Sequence, residues 1–211
     1  MLRAHYSRRG FAKVSLALVT SVALASGMTL AQAATSPAQT IGTLYKNLLG
    51  TMREADQLGV QGRYDKLAPV LSQTYDIPLM SQMAVGRDWS TLNAQQQAAI
   101  IGAFTRMMVA NYASQFDGYS GEKFEIMKTI DRSATEKLVK TNIVQSNGKR
   151  IALDYLMRDT GQGWKIVDVY LDGTISELAN RRAEFGSILK SSGPEALIGS
   201  LQKQGDKLLA R

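Results

Sequence analysis

Cysteine is absent from the 211 residues, and histidine occurs once, at His5. The first absence excludes a disulfide framework and a thiol nucleophile. The second excludes a Ser-His-Asp triad and a His or Cys metal site from everything beyond the first few residues. The acids are scattered along the chain, with no Asp-x-Asp cluster to ligate a metal or to work as a carboxylate pair. No cofactor is therefore expected, and no catalytic residue is assigned. Aromatic residues make up only 7% of the chain and prolines number four. Repeats, low-complexity segments and interdomain linkers are lacking too, which points to one domain.

What is present begins with a leader. Arg3, Arg8, Arg9 and Lys13 precede an apolar stretch, Val14 to Leu30, and the small-residue pattern Ala31-Gln32-Ala33. That order of regions reads as a secretory signal peptide over residues 1–33, leaving a domain of residues 34–211 in an extracytoplasmic compartment. Ser7-Arg8-Arg9-Gly10-Phe11-Ala12-Lys13 resembles a twin-arginine export signal, with Ala12 in place of leucine; a general-secretion leader with two neighbouring arginines is the alternative. Without the leader, 21 basic residues face 18 acidic ones, so the net charge drops from +7 to +3. The high isoelectric point is thus largely the leader's, and no clustered basic footprint for nucleic acid remains.

Ser36-Pro37 reads as an N-cap with proline at the first helical position. Ile41, Leu44, Tyr45, Leu48, Leu49 and Met52 follow at helical spacing. This helix is expected to end near Gly59, with shorter helices from Arg63 to Tyr75 and from Ile77 to Val85. Asn93, with Gln96 as capping-box partner, opens a long helix whose stripe is Ile100, Ile101, Phe104, Met107, Met108, Tyr112 and Phe116. After Gly118 the period becomes two. Lys123 to Ile130, Leu138 to Gln145, Arg150 to Arg158 and Trp164 to Leu171 predict a four-stranded antiparallel meander. Two helices close the chain, one from about Gly173 to Lys190 and one from Pro194 to Leu209. The fold class is α+β, a single sheet packed against helices from both ends of the chain.

In the last strand, Trp164, Ile166, Asp168 and Tyr170 fall on one face, and Lys165, Val167, Val169 and Leu171 on the other. Neither face is fully polar, so apolar material is expected on both. Asp168 facing inward needs a cation or several donors, and Arg182 is the candidate cation. An enzymatic alternative makes Asp168 a base with Tyr170 or Tyr155 as donor, but no second titratable group accompanies it. Met52, Met80, Met83, Met107, Met108, Met127 and Met157 lie on apolar faces. Core filling explains each singly, while as a group they suit a cavity that accepts variable apolar surface. Tyr112 and Phe116, at i and i+4, either pack under the first strand or line a mouth together with Tyr119.

Tyr112, Phe116 and Tyr119, then the four strands, then Trp164, Asp168-Val169, Gly173, Ser176, Arg182 and Phe185 resemble the periplasmic lipid-shuttle component of the Mla system, the toluene-tolerance auxiliary family. The likeness spans about Ala38 to Leu209. The resemblance implies a non-enzymatic periplasmic carrier whose apolar cavity, between sheet and helices, takes the tails of a lipid. Its implied partners are an inner-membrane transporter complex of MCE/ABC or RND type and an outer-membrane acceptor. The residues expected to line such a cavity or its mouth are Met107, Met108, Tyr112, Phe116, Tyr119, Tyr155, Met157, Trp164, Ile166, Tyr170, Ser176, Arg182 and Phe185. Ser176 stands three residues after Gly173 where the family's usual spacing is two. The string Gly173 to Ala179, the Arg181-Arg182 pair and Gly193-Pro194-Glu195-Ala196-Leu197 resemble a hopanoid-biosynthesis-associated branch. Phospholipid and hopanoid are therefore both expected cargos.

Overall fold

The computed structural model describes residues 35–210, and the expected signal peptide lies outside them. Ser36 caps α1 (Pro37–Arg53) by accepting from the Gln39 amide, and the Gln39 side chain returns the bond to the Ser36 amide. α1 buries Ile41, Leu44, Tyr45, Leu48 and Met52 along one stripe. It stops at Arg53, earlier than the expected end near Gly59, and α2 (Ala55–Thr74) follows directly, broken at Gly59 by non-helical backbone. Arg63 on α2 is buried; its guanidinium donates to the carbonyl of Ala113 at 2.7 Å and to that of Ala55 at 3.0 Å. One side chain thus ties the two segments of α2, on either side of the Gly59 break, to the last turn of the long helix that begins after Asn93. Asp76 caps α3 (Ile77–Val85), and Asn93 with Gln96 forms the expected capping box of α4 (Ala94–Gln115). A 3-10 turn, Gly86–Thr91, lies between α3 and α4.

The sheet runs β1 (Lys123–Asp131), β2 (Glu136–Val144), β3 (Arg150–Asp159), β4 (Trp164–Leu171) and β5 (Ile175–Ser176), in spatial order β1-β2-β3-β4-β5 and antiparallel throughout. It therefore has five strands, where four were expected. Asp172 and Gly173, at φ 49° and 71°, form the tight turn of a hairpin closed by the Thr174 amide on the Leu171 carbonyl at 3.1 Å. The chain then reverses for two residues before α5 (Glu177–Leu209) begins. The longer spacing from Gly173 to Ser176 is thus taken up by a strand rather than by the start of a helix. Helix breaks again at Gly193, between the two closing segments.

Two bulges shape the sheet. One falls between Ile126 and Lys128 on the edge strand β1, leaving Met127 exposed. The other sets Ile166 opposite Met157 and Asp168 opposite Leu156, so Val167 is the extra residue. The expected alternation fails there: Ile166, Val169 and Leu171 share the helix-facing side with Leu153, Tyr155 and Met157, while Asp168 and Tyr170 turn to the other. At 4% exposure, Asp168 needs partners, and they are donors rather than Arg182. Its Oδ1 accepts from the amides of Val169 at 2.7 Å and Leu178 at 3.0 Å, and its Oδ2 from the Ser176 hydroxyl at 2.6 Å. Ser176 in turn accepts from the Ala179 amide at 2.9 Å. The carboxylate joins β4, β5 and the first turn of α5, where the helix dipole also favours a negative charge.

The helices cover one face of the sheet. Beyond the reach of β5, the Tyr75–Asp76 segment covers the open edge of β4, with the Asp76 amide donating to the Ile166 carbonyl at 2.9 Å. Replacing Asp168 by Asn, which keeps the shape but removes the charge that three donors share, is expected to lower the unfolding free energy by about 2 kcal/mol. Urea denaturation measures this; an unchanged midpoint would show that the charge is dispensable.

Candidate functional site

The stripe of α4 that faces the sheet carries Phe104, Met107, Met108, Asn111, Tyr112 and Gln115, one or two residues per turn, with Phe116 at its C-cap. Opposite them stand Ile143 and its cross-strand partner Ile151, then Leu153 and its partner Leu171, with Val169 beside them. Tyr75 and Met80 close one end, and Glu177, Leu178 and Arg181 from the first turns of α5 form the remaining wall. These residues enclose a pocket of about 240 Å³. Its depth is apolar, and its polar groups are Asn111, Gln115, Glu177 and Arg181 together with the phenols of Tyr75 and Tyr112.

The phenols are held inward. The hydroxyls of Tyr75 and Tyr112 hydrogen-bond to each other, with the rings edge to face at 6.0 Å, and Tyr112 stacks on Phe116 at 5.6 Å. Behind the pocket the Tyr45 hydroxyl bonds Thr141, whose own hydroxyl donates to the Leu153 carbonyl. Burial disfavours phenolate at each of these positions. It pushes Tyr112 up to about 12 and raises Tyr45, Tyr75 and Tyr155 well above the ordinary tyrosine value. These groups are thus neutral partners, unfit to act as bases near neutral pH.

Of the expected residues, Met107, Met108, Tyr112 and Phe116 line the pocket. Tyr155, Met157, Ile166 and Phe185 are fully buried in the core, Phe185 meeting Phe104 edge-on at 5.5 Å. Tyr119 is exposed under the guanidinium of Arg53, and Trp164 lies beneath the ammonium of Lys137. Tyr170, raised by partial burial and by the charge of Asp168, sits on the opposite face of the sheet. Ser176 caps α5, and Arg182 rests against Gly86. The acid and phenol of the enzymatic alternative therefore do not open on this pocket: Asp168 serves as a helix and turn anchor, and Tyr155 is a core residue. Lining residues not among those expected include Phe104, on the apolar stripe of α4, its neighbour on that helix Asn111, and Ile143, Ile151, Leu153 and Val169. The arginine on the pocket wall is Arg181, whose guanidinium pairs with Glu184 at 2.8 Å.

A five-stranded antiparallel sheet with helices over one face, holding an apolar pocket rimmed by a few polar groups, defines a single-domain α+β protein of the binding type. Residues 43–203 match the family model described as MlaC protein, and the chain belongs to that family. A comparison with curated proteins finds no match. Among solved structures, the fold is similar to that of a phospholipid-binding protein from Ralstonia solanacearum in complex with a phospholipid. The TM-score is 0.74 at 21% identity, covering 84% of this chain and all of that one.

The raised tyrosines predict alkaline behaviour. The folded chain holds these phenolic protons to higher pH than the unfolded chain, whose tyrosines titrate near about pH 10. Their stabilising contribution is complete below that pH and is lost as the pH rises above it, for Tyr112 through about 12. At about pH 11 the folded protein is expected to show less phenolate absorbance than the urea-unfolded chain; equal absorbance would refute the buried assignment.

Proposed function

We propose that this protein is a periplasmic lipid carrier: it takes a phospholipid from one membrane-bound partner, shields the tails in the α4–α5 pocket, and releases it to another. The observation that carries this reading is the pocket itself, apolar in its depth with Arg181, Asn111, Gln115 and Glu177 toward solvent, in a chain of the MlaC family. Signal-peptide cleavage after Ala33 would deliver it to the periplasm, and no helix among the described residues is long and apolar enough to cross a membrane. An inner-membrane transporter complex and an outer-membrane acceptor are the partners this role requires. The reaction is transfer without chemistry.

Each methylene moved out of water contributes about 0.8 kcal/mol, so shielding acyl chains offsets much of the cost of leaving a bilayer. Release needs only a small difference in affinity between carrier and acceptor. A pocket of about 240 Å³ lies below the ~300–1,000 Å³ typical of sites that enclose drug-sized ligands. Two acyl chains therefore require its walls to part. The segment of α5 between the Asp172-Gly173 turn and the Gly193 break is the wall with a backbone pivot at each end. Arg181 retains donors beyond those used by Glu184 and suits a head-group phosphate. A hopanoid, the other expected cargo, would fill the pocket with a rigid polycyclic body.

Protein purified without detergent is expected to release unmodified phospholipid on solvent extraction and mass spectrometry. Recovery of a hopanoid would reassign the cargo, and recovery of chemically altered lipid would sink the carrier reading. Met108→Trp and Leu153→Trp place an indole where tails would lie; each is expected to cut lipid occupancy by about half or more while folding persists, since overpacking a yielding pocket is tolerated better than overpacking a core. Full occupancy in both variants would show that the tails lie elsewhere.

A further inference from the structure

Arg182 is left without a partner by the arrangement around Asp168. Its guanidinium instead lies on the backbone of Gly86: a Cβ at that position would stand 3.3 Å from Nη2 and 3.4 Å from Nε. Gly86 has φ 73° and ψ −133°, a conformation that side chains rarely adopt, so both the turn and the seat of the arginine depend on glycine. Arg182, Gly186 and Lys190 succeed one another at four-residue spacing on one side of α5. With Arg87 and Asp88 from the 3-10 turn they line a hollow of about 400 Å³. Three cations thus meet one acid there, and none of the three is in an ion pair among the described residues. The floor is two glycines, so a compact anion can approach the guanidinium closely.

Arg182 also borders a smaller recess lined by Met83, Ser176, Leu178 and Ala179, and Leu178 is a wall of the α4–α5 pocket. The recess therefore lies across Leu178 from the pocket, and the hollow adjoins the recess at Gly86 and Arg182. We propose that Arg87, Arg182 and Lys190 form a phosphate-binding hollow, distinct from the pocket, that engages the head groups of anionic lipids at a membrane surface. Arg182 supplies the planar, multi-donor contact that phosphate favours, and Arg87 and Lys190 supply the surrounding positive potential. The assignment of a membrane source rests on the lipid-carrier reading, whereas the affinity for phosphate does not.

The test is partition of the exported protein, cleaved after Ala33, onto vesicles of phosphatidylglycerol with phosphatidylcholine, against vesicles of phosphatidylcholine alone. It runs alongside titration with inorganic phosphate followed by NMR and a measurement of lipid carried in the pocket. The wild type is expected to favour the anionic vesicles. Arg182→Gln and the double variant Arg87→Gln/Lys190→Gln, all at exposed positions, are expected to weaken partition about fivefold per cation removed with carried lipid unchanged. Unchanged partition in both variants overturns the proposal, as does a loss of partition that occurs only together with loss of carried lipid. Phosphate shifts at Arg182 without vesicle partition overturn the membrane source and leave free phosphate as the ligand. Failure to carry lipid with partition intact overturns the carrier reading and leaves the hollow standing.

Discussion

One buried carboxylate, that of Asp168, organises the junction of the sheet with α5. A buried carboxylate is costly unless its oxygens are met by donors, and the chain supplies them from three places: its own strand, the short strand after the hairpin, and the first turn of α5. The bulge at Val167 turns Asp168 away from the helices and, by the same step, turns Val169 and Leu171 toward them. The apolar wall of the pocket and the polar clasp of α5 are thus two results of one extra residue. Loss of either would disturb Leu178 and Arg181, which are held in place through that clasp and the packing of α5 on α3 and α4.

The pocket's tyrosines follow the same logic of satisfied polarity. Tyr75 and Tyr112 point hydroxyls into an apolar space, and their mutual hydrogen bond lets the space behave as apolar. The Tyr45–Thr141–Leu153 relay does the same between α1 and the sheet. The first bond joins the end of α2 to α4, and the second joins α1 to β2 and β3, at defined points where apolar contact alone would allow sliding.

Much of the architecture is legible in the sequence because its signals are local. The capping groups Ser36 and Asn93, the change of period after Gly118 and the bounds of β4 all depend on a few neighbouring residues, and the structure has them where those residues indicate. Family membership is legible for a similar reason, since the signature around Trp164, Asp168, Ser176, Arg182 and Phe185 is concentrated in one segment. The facing of side chains past Val167 is not legible, because a bulge is set by pairing with β3 and leaves no periodic mark in β4 itself. The same limit hides the choice between Arg181 and Arg182: adjacent residues on a helix point about 100° apart, and only the phase at which α5 meets α4 decides which one faces the pocket. Ile143, Ile151 and Leu153 become pocket residues only once the register of three strands is known.

The bulge on β1 has a consequence for how these molecules behave toward one another. β1 is an outer strand, and an outer strand offers unpaired amides and carbonyls on which a foreign strand can grow. Here the ladder is interrupted between Ile126 and Lys128, and lysines stand at Lys123 and Lys128. At the far side, β5 is two residues long and the rest of β4 is covered by Tyr75 and Asp76. Neither margin of the sheet offers a long, flat template, so the fold is guarded against strand-by-strand polymerisation even with Met127 and Ile175 open to solvent.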